Sequence, residues 1–254
     1  RPAECKHSVR LPSCAGLTAP AYLDQYAAPR DALAEVAFKN HATGVDNPHA
    51  QFRKEIGRGT AVHWALVAAP LRLCEFCPIT DGSAALLFCP VDVAEEYTDD
   101  YVRVAGVAGA TDTHVVHERP DPTRMNGVVK SGERAFEQAG LAPEDVDVAE
   151  LHDMFTILEF LQYEDLGFAR KGHAWEDAMD GTTARDGDLP INTSGGLKSK
   201  GHPLGASGVA QGYEIYQQLT GQAGKRQVDA EVGLACNVGG FGNCVTTAIF
   251  EVGA

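Results

Sequence analysis

The chain contains no run of about 18 consecutive apolar residues, so no segment reads as a membrane-spanning helix. Its first residues, Arg1 to Arg10, hold no apolar stretch of the kind a secretory signal needs. Lysine is scarce, and 21 Lys plus Arg stand against 35 Asp plus Glu. The resulting formal charge of −14 excludes nucleic-acid phosphates and an anionic membrane as partners. There is no repeat at a fixed short period and no low-complexity tract, which removes solenoid and disordered architectures. A G-x-x-x-x-G-K-[ST] phosphate loop is missing, and the glycine-rich stretch does not follow a strand as a dinucleotide fingerprint requires. Cysteines number seven (Cys5, Cys14, Cys74, Cys77, Cys89, Cys236 and Cys244), an odd and irregularly spaced set that argues for reduced thiols over a disulfide framework. Cys74-x-x-Cys77 has no second ligand pair at suitable spacing, and Phe76 and the strand after it read as buried, so no metal site is expected. Together these absences predict a soluble cytoplasmic protein.

What is present is enough apolar material for a real core: 254 residues, 44% of them hydrophobic. The acids gather in short clusters such as Glu95-Glu96 with Asp99-Asp100, and between Glu176 and Asp188, which read as solvated surface. Many acids with few lysines suggest adaptation to high salt; folding lost at high salt and gained at low salt would exclude it. Pro29 followed by Leu33, Val36 and Ala37 on one face predicts a helix over Arg30 to Asn40. Gly82 to Phe88, closed by Cys89-Pro90, reads as a buried strand. Beyond a break near Tyr97 to Tyr101, periodicity predicts strands at Val102–Val107, Val146–Leu151, Glu231–Cys236 and Cys244–Glu251. Helices are predicted near Thr123–Gln138, Phe155–Tyr163 and Gly205–Leu219. Strands alternating with helices imply an α/β fold with a mixed, largely parallel sheet covered on both faces.

Three segments put reactive side chains at strand ends or helix starts, where α/β folds build their sites. Glu150-Leu151-His152-Asp153-Met154-Phe155 joins a strand to a helix, and its His and Asp are also plain capping residues. Asn192 to Gly208 (NTSGGLKSKGHPLGASG) carries more glycine than a turn needs, which implies a backbone that approaches something closely. Cys236-Asn237-Val238-Gly239-Gly240-Phe241-Gly242-Asn243 is readable as a hairpin with a buried small Cys; its glycines would equally let N–H groups face a substrate carbonyl.

In this order and at these separations the three resemble the thiolase superfamily. INTSGGLKSKGHPLGASG is the most specific match, and HDMF at His152 resembles the His-Asp-x-Phe form of sterol-carrier-type and archaeal members. With GLTAPAYL from Gly16, DALAEVAFKNH from Asp31, NPHAQFR from Asn47 and CPITDGSAAL from Cys77, the likeness covers nearly everything from Gly16 to Glu251. The resemblance implies a layered α-β-α-β-α fold: residues 1–15 unmatched, 16–96 the loop region and end of the N-terminal domain, 97–254 the C-terminal domain. It further implies that His202 activates a nucleophilic thiol, that His152 and His202 hold a thioester oxygen, and that Cys236 takes the α-proton. Substrate contacts would come from Cys77, Gly205, Ala206, Ser207, Gly239 and Gly240. Coenzyme A thioesters would be substrates, with no separate cofactor and no metal. A homodimer or tetramer and a small zinc-ribbon/OB-fold partner protein are also implied.

The family's nucleophilic cysteine belongs upstream of the segment matching Gly16, and Ser13-Cys14-Ala15-Gly16 is a superficial likeness only, so the nucleophile is expected outside this sequence. Two other functions share these features: a noncatalytic scaffold subunit, and a ketoacyl synthase, which also uses a Cys with two His. Cys236 and the GHPLGASG loop disfavour the latter.

Overall fold

The computed structural model describes residues 9–61 and 63–253; Cys5 lies outside them. Its main sheet has four strands, β3 (Val102–Thr111), β4 (Val148–Leu151), β5 (Val232–Gly239) and β6 (Cys244–Val252), in the order β3-β6-β5-β4. A small hairpin, β1 (Leu66–Ala68) with β2 (Leu71–Arg72), lies apart from it. Only β4 and β5 run parallel; β5/β6 and β6/β3 are antiparallel, which corrects the expected largely parallel sheet. The cause is the short turn at 240–243, where Gly240 and Gly242 take positive φ and fold β6 straight back along β5.

The helices that position the site are α1 (Leu11–Tyr26), α2 (Ala32–Gly44), α3 (Asn126–Ala139), α4 (Thr156–Asp165), α5 (Ala174–Asp180), α6 (Gly196–Ser199) and α7 (Ser207–Leu219); two single turns, Arg58–Ala61 and Val91–Ala94, lie elsewhere among the described residues. Helix α3 turns Val128, Ser131, Gly132, Ala135 and Phe136 inward at helical spacing, and ends where Gly140 adopts the left-handed conformation. It covers one face of the sheet with Leu234, Cys236 and Val238 beneath it; α7 covers the other, with Ile215 and Leu219 against Val148 and Ala235. Two-residue alternation along β5 therefore sends Cys236 and Asn237 to opposite sides. Helix α4 is buried along its whole length, packed between α1, α2, α3 and α5. No helix among the described residues is long and apolar enough to cross a membrane.

Helix α3 reaches β3 at a bulge, and a Cβ on Gly106 would lie 2.1 Å from the Ala135 carbonyl oxygen. Backbone cannot yield as a side-chain tip does, so Gly106→Ala is expected to destabilise by about 3 kcal/mol. A denaturant midpoint equal to the parent's would contradict this close approach.

Two expectations fail. Gly82 to Phe88 forms no strand and is not buried: Leu87 is 95% and Phe88 66% exposed. An apolar, strand-prone run needs neighbouring N–H and C=O groups to pair with, and none is set beside it among the described residues. Phe76 is likewise only half-buried. Conversely, α1 goes unannounced in the sequence because Pro12 and Pro20 mark it as a breaker region. Tertiary burial of Cys14, Ala15, Thr18, Ala19 and Tyr22 overrides that cost.

Candidate active site

Glu150 to Phe155 crosses from β4 to α4, and the side-chain amide of Gln162 on α4 clamps the crossing. Its Oε1 accepts the His152 N–H at 2.9 Å while its Nε2 donates to the His152 carbonyl at 2.9 Å. His202 lies in the loop before α7, where its N–H donates to Thr80 Oγ1 at 3.2 Å. Segment 76–80 runs between the two loops, Phe76 bridging Phe155 and Ile79 bridging His202, with the Cys77 N–H donating to the Met154 carbonyl at 2.9 Å. The imidazoles of His152 and His202 meet edge to face, with ring centroids 4.9 Å apart and planes at 89°.

Ring protonation follows from the partners. Ser207 Oγ gives its one hydrogen to the Pro203 carbonyl at 3.1 Å, so it accepts from His202 Nδ1–H at 2.7 Å. The lone pair of His202 is then on Nε2, as a base requires. Asn237 Oδ1 is an acceptor, so His152 Nδ1 donates to it at 2.8 Å. His152 Nε2 is buried and makes no hydrogen bond among the described residues. Burial, then the neighbouring His202, pushes the His152 pKa down to about 3; burial, then Lys200, lowers that of His202. Both rings are neutral at pH 7.

A His with a depressed pKa takes up its proton in the unfolded chain first. Its stabilising neutral form is fully present above about pH 6.5 and is penalised progressively as pH falls towards 3. Asp153, raised to about 7 by burial and then by Glu159, has the opposite sign, so a single stability curve mixes the two. Comparison with His152→Gln separates them: the wild-type protein is expected to lose stability relative to the variant as pH drops from 7 to 4. Parallel stability curves for the two proteins would contradict a buried neutral His152.

The structure brings His152 and His202 together, but not Cys236. That thiol is fully buried on the α3 face of the sheet, where it accepts from Thr247 Oγ1 at 3.6 Å, and Thr247 in turn meets Ser131 Oγ at 2.9 Å. Burial raises its pKa to about 12, which keeps it protonated. The expectation that Cys236 joins the two histidines is therefore corrected: the adjacent Asn237 does so. The signal was available in Leu234, Cys236 and Val238 as one apolar row, with Asn237 out of step. Gly208 admits Asn237, since a Cβ there would stand 3.1 Å from its amide carbon.

Cys77 lies beside the Met154 carbonyl, half-buried, its thiol pKa raised to about 12 by burial and then by Asp153. Gly205, Ala206 and Ser207 follow His202 into α7. Ala206, with Thr80, Gly82, Pro203 and Tyr213, lines a cleft of about 330 Å³. Gly239 and Gly240 occupy the β5–β6 turn beyond Asn237. Asp153 does not cap the helix that follows it; it bonds to the segment before His202 instead.

Residues 108–252 match the family model described as thiolase C-terminal domain-like, more than half of the chain, and residues 4–62 match that of the thiolase N-terminal domain. The chain belongs to the thiolase superfamily. It is 44% identical over 249 residues to an acetyl-CoA acetyltransferase of Methanothermobacter thermautotrophicus, covering 98% of this chain and 65% of that protein. Sterol carrier protein 2 of Gallus gallus is 35% identical over 238 residues, with 91% of this chain and 43% of the relative covered, which fits the sterol-carrier-like branch of thiolases. The thiolase chain thus spans about two thirds or less of the curated relatives it matches. Among solved structures, the Ltp2-ChsH2(DUF35) aldolase superposes with a TM-score of 0.84 at 23% identity, covering 94% of this chain and 63% of that one. The monomeric SCP2-thiolase like protein type 1 from Mycobacterium smegmatis gives 0.71 at 19% identity, over 96% and 52%. Both are likenesses of fold. The thiolase resemblance of the GHPLGASG and HDMF segments is thereby borne out.

Proposed function

We propose that the full-length protein is a thiolase in activity as well as in family, transferring acyl groups to or from coenzyme A by thiolysis of 3-oxoacyl-CoA or condensation of two acyl-CoA units. The observation that carries this reading is the His202 ring, held by Ser207 through Nδ1 and packed against His152 with the ring centroids 4.9 Å apart. A neutral imidazole so held takes the proton of a nucleophilic thiol and then presents it as Nε2–H to the oxygen of the thioester under attack. His152, whose Nδ1–H is engaged by Asn237, can only accept at Nε2 until it is itself protonated. The α-proton acceptor is a group other than Cys236.

The chain spans 65% of the length of the acetyl-CoA acetyltransferase it matches, and no nucleophile is assigned among the described residues. The 330 Å³ cleft beside Thr80 and Ala206 is a route for the pantetheine arm of coenzyme A, and no separate cofactor or metal is invoked. A protein partner is part of the proposal, suggested by the two-component name of the Ltp2-ChsH2(DUF35) aldolase, whose fold is similar. Self-assembly and a cytoplasmic site of action complete it.

Incubating the full-length protein with acetyl-CoA and weighing it intact tests the reading. An acetyl adduct that coenzyme A discharges is expected. A folded protein with neither adduct nor acetoacetyl-CoA thiolysis would favour the scaffold alternative.

A further inference from the structure

Asp153 is completely buried one residue from His152, and its carboxylate bonds across the fold instead of locally. Oδ1 accepts the N–H of Leu197 at 2.6 Å, and Oδ2 accepts the N–H of Lys198 at 3.2 Å and the Asn40 amide at 2.7 Å. The carboxylate fills the space over Gly196, where a Cβ would stand 2.4 Å from Oδ2 and where φ is +57°. Lys198 then reaches on with its ammonium to the Phe76 carbonyl at 2.6 Å, and Cys77 returns a backbone bond to Met154 at 2.9 Å. A ring of bonds therefore closes through the segment of His152, the segment leading to His202, and the strip at 76–77 between them. None of the three is longer than a single helical turn or a strip of irregular chain, and such segments placed far apart in sequence keep a fixed separation only when something rigid spans them.

Resting on the acyl-transfer reading above, we infer that Asp153 is a positioning residue: it sets the separation and tilt of the His152 and His202 rings by anchoring the 196–198 backbone, without touching substrate. Asparagine in its place keeps the size but turns an amide donor towards donors. The 196–198 segment then loses an anchor and His202 shifts. A displacement near 1 Å at a catalytic group lowers turnover by about 10²-fold.

The experiment is Asp153→Asn in the full-length protein, labelled with ¹⁵N-histidine. Glu164→Gln is the control, a buried carboxylate bonded to Tyr22 and Ala174 away from the histidines. The expected result is loss or displacement of the His202 Nδ1 proton signal and of the cross-peak between the two rings in Asp153→Asn. Turnover should fall about 10²-fold with KM little changed, while Glu164→Gln lowers the melting temperature and leaves the imidazole signals in place. Should Asp153→Asn not fold, Asn40→Ala, which removes one donor from the same carboxylate, is expected to displace the same signals. Wild-type imidazole signals in whichever of these variants folds, or an equal displacement in Glu164→Gln, would overturn the inference. The spectra are read without turnover, so a wild-type protein lacking thiolysis would sink the acyl-transfer reading and leave the positioning of the rings separately decided.

Discussion

Replacing His202 by alanine in the full-length protein is expected to lower kcat for acetoacetyl-CoA thiolysis by about 10²- to 10⁴-fold, the range over which a positioned base contributes. His202 Nδ1 is committed to Ser207, so Nε2 is the nitrogen available to a nucleophile. The neighbouring His152 does not substitute, because burial drives its pKa down to about 3 and makes it a far weaker base. KM should change little, because the cleft walls at Thr80, Gly82 and Ala206 remain. Near-normal thiolysis by His202→Ala would remove this histidine from the chemistry. Ser207→Ala should give a smaller loss of the same kind, since it frees the ring without deleting it.

The second large effect separates two neighbours on one strand. Asn237→Leu removes the acceptor of the His152 Nδ1 proton and leaves both imidazole nitrogens buried without partners, which costs about 1–3 kcal/mol. With the His152 ring no longer held, turnover should also drop by about 10²-fold, the effect of a misplacement near 1 Å at the reacting groups. Cys236→Ala should leave turnover within a few-fold and lower stability by about 1 kcal/mol, the scale of trimming one buried group. The opposite pattern, an inert Cys236→Ala protein beside an active Asn237→Leu one, would mean that β5 lies one residue out of register. A one-residue slip exchanges every side chain between the two faces, so the pair of variants reads the register directly.

Much of this site was legible before any coordinates. The His152 and His202 segments stand out as motifs because strand-to-helix crossings and glycine-rich approaches are local events, and local chemistry writes itself into local sequence. Helix α3 and its end at Gly140 were legible for the same reason, as were β5 and β6 within a few residues. Where prediction failed, a partner outside the local window decided. Leu87 and Phe88 have the composition of a buried strand and no ladder to join. Helix α1 tolerates Pro20 because Tyr22 is buried and hydrogen-bonded to Glu164, 142 residues away. Asp153 has the sequence of a cap for α4 but spends its oxygens on α6.

Sequence alone determined the superfamily and singled out the two histidines as candidates, since motif spacing and glycine placement need no third dimension. Tertiary structure alone decided which neighbour on β5 meets His152, because that depends on which face of the pleat α7 covers. It also decided that Asp153 ties two loops together, because residues 44 positions apart meet only once the chain has packed.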